Sequence, residues 1–101
     1  MQSTEKKTEA HVPTQNASSY LRQLCRHSSH RFPVEFDEHH GRIELQGTLC
    51  ILKATSTGLD VQLEIGDGAD PNRMESVVAE HLQRFGFRET LVFEWKRSWQ
   101  A

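Results

Sequence analysis

Leu59-Asp60-Val61-Gln62-Leu63-Glu64-Ile65 alternates between apolar and polar side chains without a break. Successive side chains of a strand point to opposite faces. This period of two therefore sets Leu59, Val61, Leu63 and Ile65 on a core face and turns Asp60, Gln62 and Glu64 away from it. A sheet packed on one side and wet on the other is the habit of antiparallel strands. Its polar side is left to water or to a partner.

Upstream of this strand, Ser56-Thr57-Gly58 is a turn, and Leu49 to Ala54 is more continuously apolar, as expected at a sheet's centre. Phe32, Val34 and Phe36 alternate with Arg31, Pro33 and Glu35. Asp37-Glu38-His39-His40-Gly41 then turns the chain, with Gly41 able to supply a positive φ to a bulged hairpin. Ile43 and Leu45 continue the inward face, and Gly47 marks the next reversal.

Downstream, Gly66-Asp67-Gly68-Ala69 is a loop and Asp70-Pro71 opens a helix, aspartate as N-cap and proline at the first helical position. Met74, Val77, Val78, His81, Leu82 and Phe85 follow the spacing of a helix's core face. Gly86 sits where a left-handed C-cap belongs, and Leu91, Phe93 and Trp95 form a last strand. Nearer the N-terminus, Asn16 is a good N-cap for a first helix carrying Ala17, Tyr20, Leu21, Leu24, Cys25 and Ser28 on one face. Its last turn collects Arg26, His27, His30 and Arg31, cations favoured there by the macrodipole. Glu9 to Thr14 is expected to be a short edge strand limited by Pro13, and residues 1–8 a disordered tail. The order gives an α+β two-layer sandwich. It is a mainly antiparallel sheet of five to six strands with two helices packed on one face, a single domain over residues 9–101.

A chain of 101 residues holds one domain. Twelve basic against fourteen acidic residues give a formal net charge of −2, which leaves no electrostatic footprint for nucleic acid. No apolar stretch is long enough to cross a membrane. The polar start lacks the apolar centre of a signal peptide, so a cytoplasmic location is expected. Cys25 and Cys50 lie among apolar residues and read as reduced, buried thiols.

His81 is the residue that least fits its position. An imidazole on a core face must find a partner for each ring nitrogen, bind a ligand, or cost stability. The chain is histidine-rich, with six in all, so spacing decides which can act together. Cys25 and His27 lie about 200° apart around a helix at ~100° per residue and do not face each other. His27 and His30 can share a ligand if the helix runs that far. His39 and His40 lie about 20 Å from His30 along a strand and read as exposed turn residues. A metal set would therefore be His27, His30 and His81, suited to iron or zinc, and the plain account of the first two is helix-end cations.

Cys25 and His81 both fall on core faces of helices that pack on the same side, so they can meet across an interaxial distance of ~8–10 Å. Arg84, three residues from His81, and Arg88, past the helix end, would form a basic rim for a carboxylate or catecholate. Pairing with Glu80, Glu89 or Glu94 is the ordinary alternative. The candidate ligand-binding residues are thus His81, Arg84, Arg88 and Cys25. No catalytic residue can be named, because no Ser-His-Asp ordering, glycine-rich phosphate loop or paired-carboxylate motif is present. Asp67-Gly68-Ala69-Asp70 lacks the remaining ligand positions of a calcium loop. The first expectation for His81 is a buried neutral histidine bonded to a hydroxyl, carboxylate or backbone group.

Three segments carry a family resemblance. They are Leu24-Cys25-Arg26-His27-Ser28-Ser29-His30-Arg31, then Val34-Glu35-Phe36-Asp37 through His40-Gly41-Arg42-Ile43, and His81-Leu82-Gln83-Arg84-Phe85-Gly86-Phe87-Arg88-Glu89 followed by Trp95. Over roughly Ala10 to Trp95 the chain resembles a bacterial family known as domain of unknown function 2218. It departs from that pattern at Ser28, where the family carries a bulky aromatic, and at Arg26 and Arg31, where lysine is usual. The family has no established activity. The resemblance implies at most an accessory role in iron handling, since some members accompany or are fused to flavoproteins that reduce ferric siderophores.

The expectation is a small binding or accessory domain, non-catalytic alone, linked to ferric-siderophore handling by resemblance only, with a flavoprotein as the implied partner. No cofactor is predicted, and iron or zinc is the metal to test. A homodimeric interaction module, using the polar sheet face or the Glu9 to Thr14 edge, is the second reading. A thiol- or metal-dependent enzyme around Cys25 and His81 is the third.

Overall fold

The computed structural model describes residues 6–99. In chain order the elements are β1 (Lys6–Pro13), α1 (Ala17–Ser28), β2 (Val34–Phe36), β3 (His40–Leu45), β4 (Thr48–Ala54), β5 (Gly58–Ile65), α2 (Pro71–Phe85) and β6 (Lys96–Arg97). The strands form one six-stranded sheet in the order β2-β3-β4-β5-β1-β6, every neighbouring pair antiparallel. Both helices cover the same face, giving the α+β architecture read from the patterning.

The core lies between these layers. Leu59, Val61, Leu63 and Ile65 of β5 point into it, as their alternation requires, and meet Leu21 and Leu24 of α1 with Val78 and Leu82 of α2. Leu21, Leu52, Leu63 and Leu82 are wholly buried, each such side chain stabilising the fold by roughly 1.5–3 kcal/mol. Asp70 caps α2 as expected, its carboxylate accepting from the Asn72 amide at 3.0 Å.

Several expectations are corrected. Strand β1 begins at Lys6, so Lys6–Thr8 belong to the sheet rather than to a tail, while residues 1–5 lie outside the described residues. Nor is β1 an edge: it pairs along its whole length with β5, and with β6 at Thr8↔Arg97 and Glu9↔Lys96. The last strand is the two-residue β6, whereas Leu91, Phe93 and Trp95 run beside the core without a ladder. Their alternation correctly reports a buried side, but burial alone does not create a hydrogen-bonding partner. Helix α1 ends at Ser28, which leaves His30 and Arg31 in the following turn. Asn16 makes no side-chain cap, because its amide donates to Glu89 instead.

Neither Gly41 nor Gly86 takes a left-handed conformation. Glycine is needed at both for close approach. A Cβ on Gly41 would sit 2.7 Å from the Cys25 Sγ, and one on Gly86 would sit 2.9 Å from the Tyr20 ring.

Two polar clamps fix the ends of this layer structure. Arg97 of β6 donates to both carboxylate oxygens of Glu75 on α2 at 3.0 and 2.8 Å, and Thr8 of β1 donates to the same carboxylate at 2.8 Å. Burial alone would raise the Glu75 carboxyl, but the Arg97 and Thr8 hydrogen bonds outweigh it and hold the group below the ordinary range. At the other clamp, Glu89 accepts from Tyr20, Asn16 and Thr14, which lowers its carboxyl. Tyr20, desolvated and facing that carboxylate, is raised in turn.

Candidate functional site

The C-terminal turn of α1 and the outer side of α2 diverge above β3 and β4, and between them opens a cleft of about 360 Å³. Its floor is apolar: Leu24 of α1, Ile43 of β3, Cys50 of β4 and Val78 of α2, all buried. Phe32, Leu45, Met74 and Val77 extend that floor as half-buried walls. The rim is different in kind, with exposed His27, Arg31, Gln46 and Arg73 around half-buried His81.

Each rim residue has a local reason for its place. Arg73, Val77 and His81 are spaced by four, so α2 stacks them along one side. His27 occupies the last turn of α1, and its ring lies 5.4 Å from the His81 ring, centroid to centroid, and 6.0 Å from that of Phe85. The chain turns sharply after α1, its Arg31 and Phe32 amides returning to the Ser28 carbonyl, and this swings Arg31 back over the opening. Ser28, small and mostly buried, leaves room where a bulkier side chain would fill the cleft.

His81 Nδ1 donates to the Val77 carbonyl at 2.7 Å. The partner is a backbone oxygen on its own helix, one of the kinds expected, although His81 is half-buried rather than enclosed. Nδ1 therefore carries the proton in the neutral ring, and Nε2 is left as an acceptor. The side chains of His27, Arg31 and Arg73 have no hydrogen-bond or ion-pair partner among the described residues. Among the described residues, no aspartate or glutamate lines the cleft.

The other residues singled out from spacing are placed apart from this cleft. Cys25 turns from His81 toward the sheet, against Gly41 and Leu21. It is wholly buried, and burial pushes its thiol up to about 11, so no thiolate nucleophile is available there. Cys50, also unbridged, is pushed up to about 12 by burial and then by Cys25. Arg84 is exposed outside the cleft. Arg88 lies over the Phe87 ring at 5.4 Å, near Glu89 rather than His81. His30 is exposed and does not join His27 and His81. Among the described residues no group of three or more His, Cys, Asp or Glu side chains is arranged to hold a metal ion.

Residues that spacing arguments passed over complete the site. Arg73 carried an available signal, being eight residues before His81 on the same helix side. Arg31 was assigned to the helix end, and only the turn after Ser28 brings it to the rim.

A second polar chain runs over the open sheet face. His11 Nδ1 meets Asp60 at 2.5 Å and His11 Nε2 meets the Thr57 hydroxyl at 3.2 Å. It resembles an acid–base–hydroxyl relay. However, the Thr57 and Gly58 amides both donate to Thr55 Oγ1, at 3.3 and 3.2 Å. Those two amides are therefore not free for a developing oxyanion.

Comparison with known proteins agrees with this fold. The family model described as an uncharacterised protein conserved in bacteria (DUF2218) matches residues 9–96. Among solved structures, the NMR structure of PA4090 from Pseudomonas aeruginosa is similar with a TM-score of 0.73 and 33% sequence identity, covering 89% of this chain and 94% of that one. No curated protein matches the chain.

Proposed function

Since the chain belongs to the DUF2218 family of uncharacterised proteins conserved in bacteria, we propose its function from the cleft itself: a small ligand-binding domain that takes up an amphipathic anion and performs no chemistry alone. The observation that carries this reading is the charge census of the cleft. Two guanidinium groups and two imidazoles surround an apolar floor, none faces a carboxylate among the described residues, and the chain as a whole is slightly acidic. Unpaired arginines beside buried apolar surface suit a carboxylate or similar head with an apolar body below it. At about 360 Å³ the cleft lies at the small end of the ~300–1,000 Å³ typical of such sites. It fits a metabolite-sized molecule, or one arm of a larger one.

The same census disfavours a resident cation. Two imidazoles with ring centroids 5.4 Å apart could share a metal, but Arg31 and Arg73 oppose its charge and no carboxylate among the described residues offsets them. An accessory role in ferric-siderophore handling, with a flavoprotein partner, fits an anionic catecholate arm. It rests otherwise on the family association alone.

Amide chemical-shift mapping tests the reading with octanoate and benzoate, their amine counterparts octylamine and benzylamine, ferric iron, zinc, a ferric catecholate siderophore and a siderophore-reducing flavoprotein. The carboxylates should bind and shift amides around Val77, His81 and Leu45, while the amines should not. Amines binding as well as carboxylates, or shifts confined to the open sheet face, would overturn the proposal.

A further inference from the structure

The sheet face away from the helices carries its own pattern. Across the strands, in register, one row reads Glu35, Arg42, Ile51, Gln62, Glu9, Lys96 from β2 to β6. The next row reads His40, Lys53, Asp60, His11, and the one on the other side reads Glu44, Leu49, Glu64, Lys7. The midline of the sheet falls between β4 and β5.

A two-fold axis along that midline, parallel to the strands, would lay a second copy face to face on the first with each row reversed. Glu35 then lies over Lys96, Arg42 over Glu9, Lys53 over Asp60 and Glu44 over Lys7. Ile51 meets Gln62, Leu49 meets Glu64, and His40 meets His11. All four charge-on-charge positions of these ladder rows pair opposite signs, and none of them sets like charges together. A row of alternating charges need not behave this way: it does so only if its sequence is complementary to its own reversal. The side chains of Glu9, Glu35, Lys53 and Lys96, moreover, have no hydrogen bond or ion pair within the chain among the described residues.

We propose that this face is a self-complementary interface, and that its partner is a second copy of the chain. Keeping the strands of the two sheets aligned is one of the two established ways for sheets to pack face to face, and an isologous contact about a two-fold is the commonest symmetry of oligomers. The arrangement leaves both helical layers outermost, so both clefts stay open. Six strands at ~4.8 Å spacing and three rows of side chains give a face of roughly 25 by 18 Å. About 900 Å² is then buried over both copies, below the ~1,200 Å² of a standard interface. The dimer is accordingly weak and electrostatic, and it dissociates in salt.

Sedimentation velocity on the full chain tests this, from about 10 μM to about 1 mM, in about 20 mM and about 500 mM salt. A concentration-dependent dimer is expected at low salt and a monomer at high salt. Glu35→Lys and Lys96→Glu should each shift the low-salt midpoint upward by about tenfold or more. The double variant Glu35→Lys/Lys96→Glu, which restores opposite signs at both positions, should recover the original midpoint. Circular dichroism confirms that each variant is folded. A monomer at about 1 mM in low salt, a dimer indifferent to the single reversals, or a double variant no better than the singles would each overturn the proposal.

Discussion

Glu75 and Arg73 lie two residues apart on α2 and meet opposite fates. Glu75 turns inward, and its carboxylate is saturated by Arg97 and Thr8. Arg73 reaches the cleft rim and has no partner among the described residues. A saturated polar group contributes to holding elements together, because burying it unpaired would be costly. An unpaired cationic group above apolar surface contributes little to the fold and remains available to a ligand. The clamp and the cleft are therefore separable by mutation, although one helix supplies both.

The largest effect is expected at the clamp. Glu75→Ala should lower stability by about 2 kcal/mol, since it removes charge-assisted hydrogen bonds to a buried carboxylate and strands the Thr8 hydroxyl; chemical denaturation reads it. The acid dependence follows from the same group. Because its carboxyl is held below 4.5 in the folded state, the contribution is fully present above that value and is lost as pH falls through the lowered one. Glu75→Gln should therefore flatten the loss of stability below about pH 4.5, and a slope equal to that of the unmodified protein would show the clamp to be ornamental.

Of comparable size is Gly41→Ala, which drives a methyl onto the Cys25 Sγ and Leu21 and should cost roughly 1–3 kcal/mol. In that background Cys25→Ala should restore part of the loss, a coupling that a double-mutant cycle measures directly. Thr48 buries the one side-chain oxygen recorded without a partner among the described residues. Thr48→Val should accordingly be neutral or stabilising by up to about 1 kcal/mol in thermal unfolding. The smallest change in stability, within about 0.5 kcal/mol, is expected for His81→Leu at its half-buried position. This variant should nevertheless weaken carboxylate binding, because His81 lines the cleft, and an unchanged affinity would place the anion's contacts elsewhere.

The order of elements and the facing of each were legible in the sequence because periods of two and 3.6 are imposed by burial itself. Leu59 to Ile65 and Met74 to Phe85 behave as their spacing requires. What pairs with what was not legible: β6 forms at Lys96–Arg97, not at Leu91 to Trp95, because ladder formation depends on where β1 lies. Gly41 and Gly86 were assigned to backbone conformation when their neighbours Cys25 and Tyr20 are the reason for them. The site was half legible. His81 was found as the misfit on its stripe, and His27 was named among its company. Cys25 was misplaced because positions 24 and 25 sit about 100° apart on a helix, enough to send Leu24 to the cleft and Cys25 to the sheet. Arg73 and Arg31 join the rim through helix packing and a turn, neither of which periodicity encodes.

The most direct test is a matched pair of variants, Arg73→Glu and Glu75→Gln, each measured for thermal unfolding and for octanoate binding by calorimetry. Arg73→Glu should abolish measurable binding while leaving the melting temperature within about 2 °C. Glu75→Gln should lower the melting temperature and leave binding of the folded protein intact. Binding that survives Arg73→Glu, or the two losses appearing together in either variant, would contradict the separation of cleft from clamp.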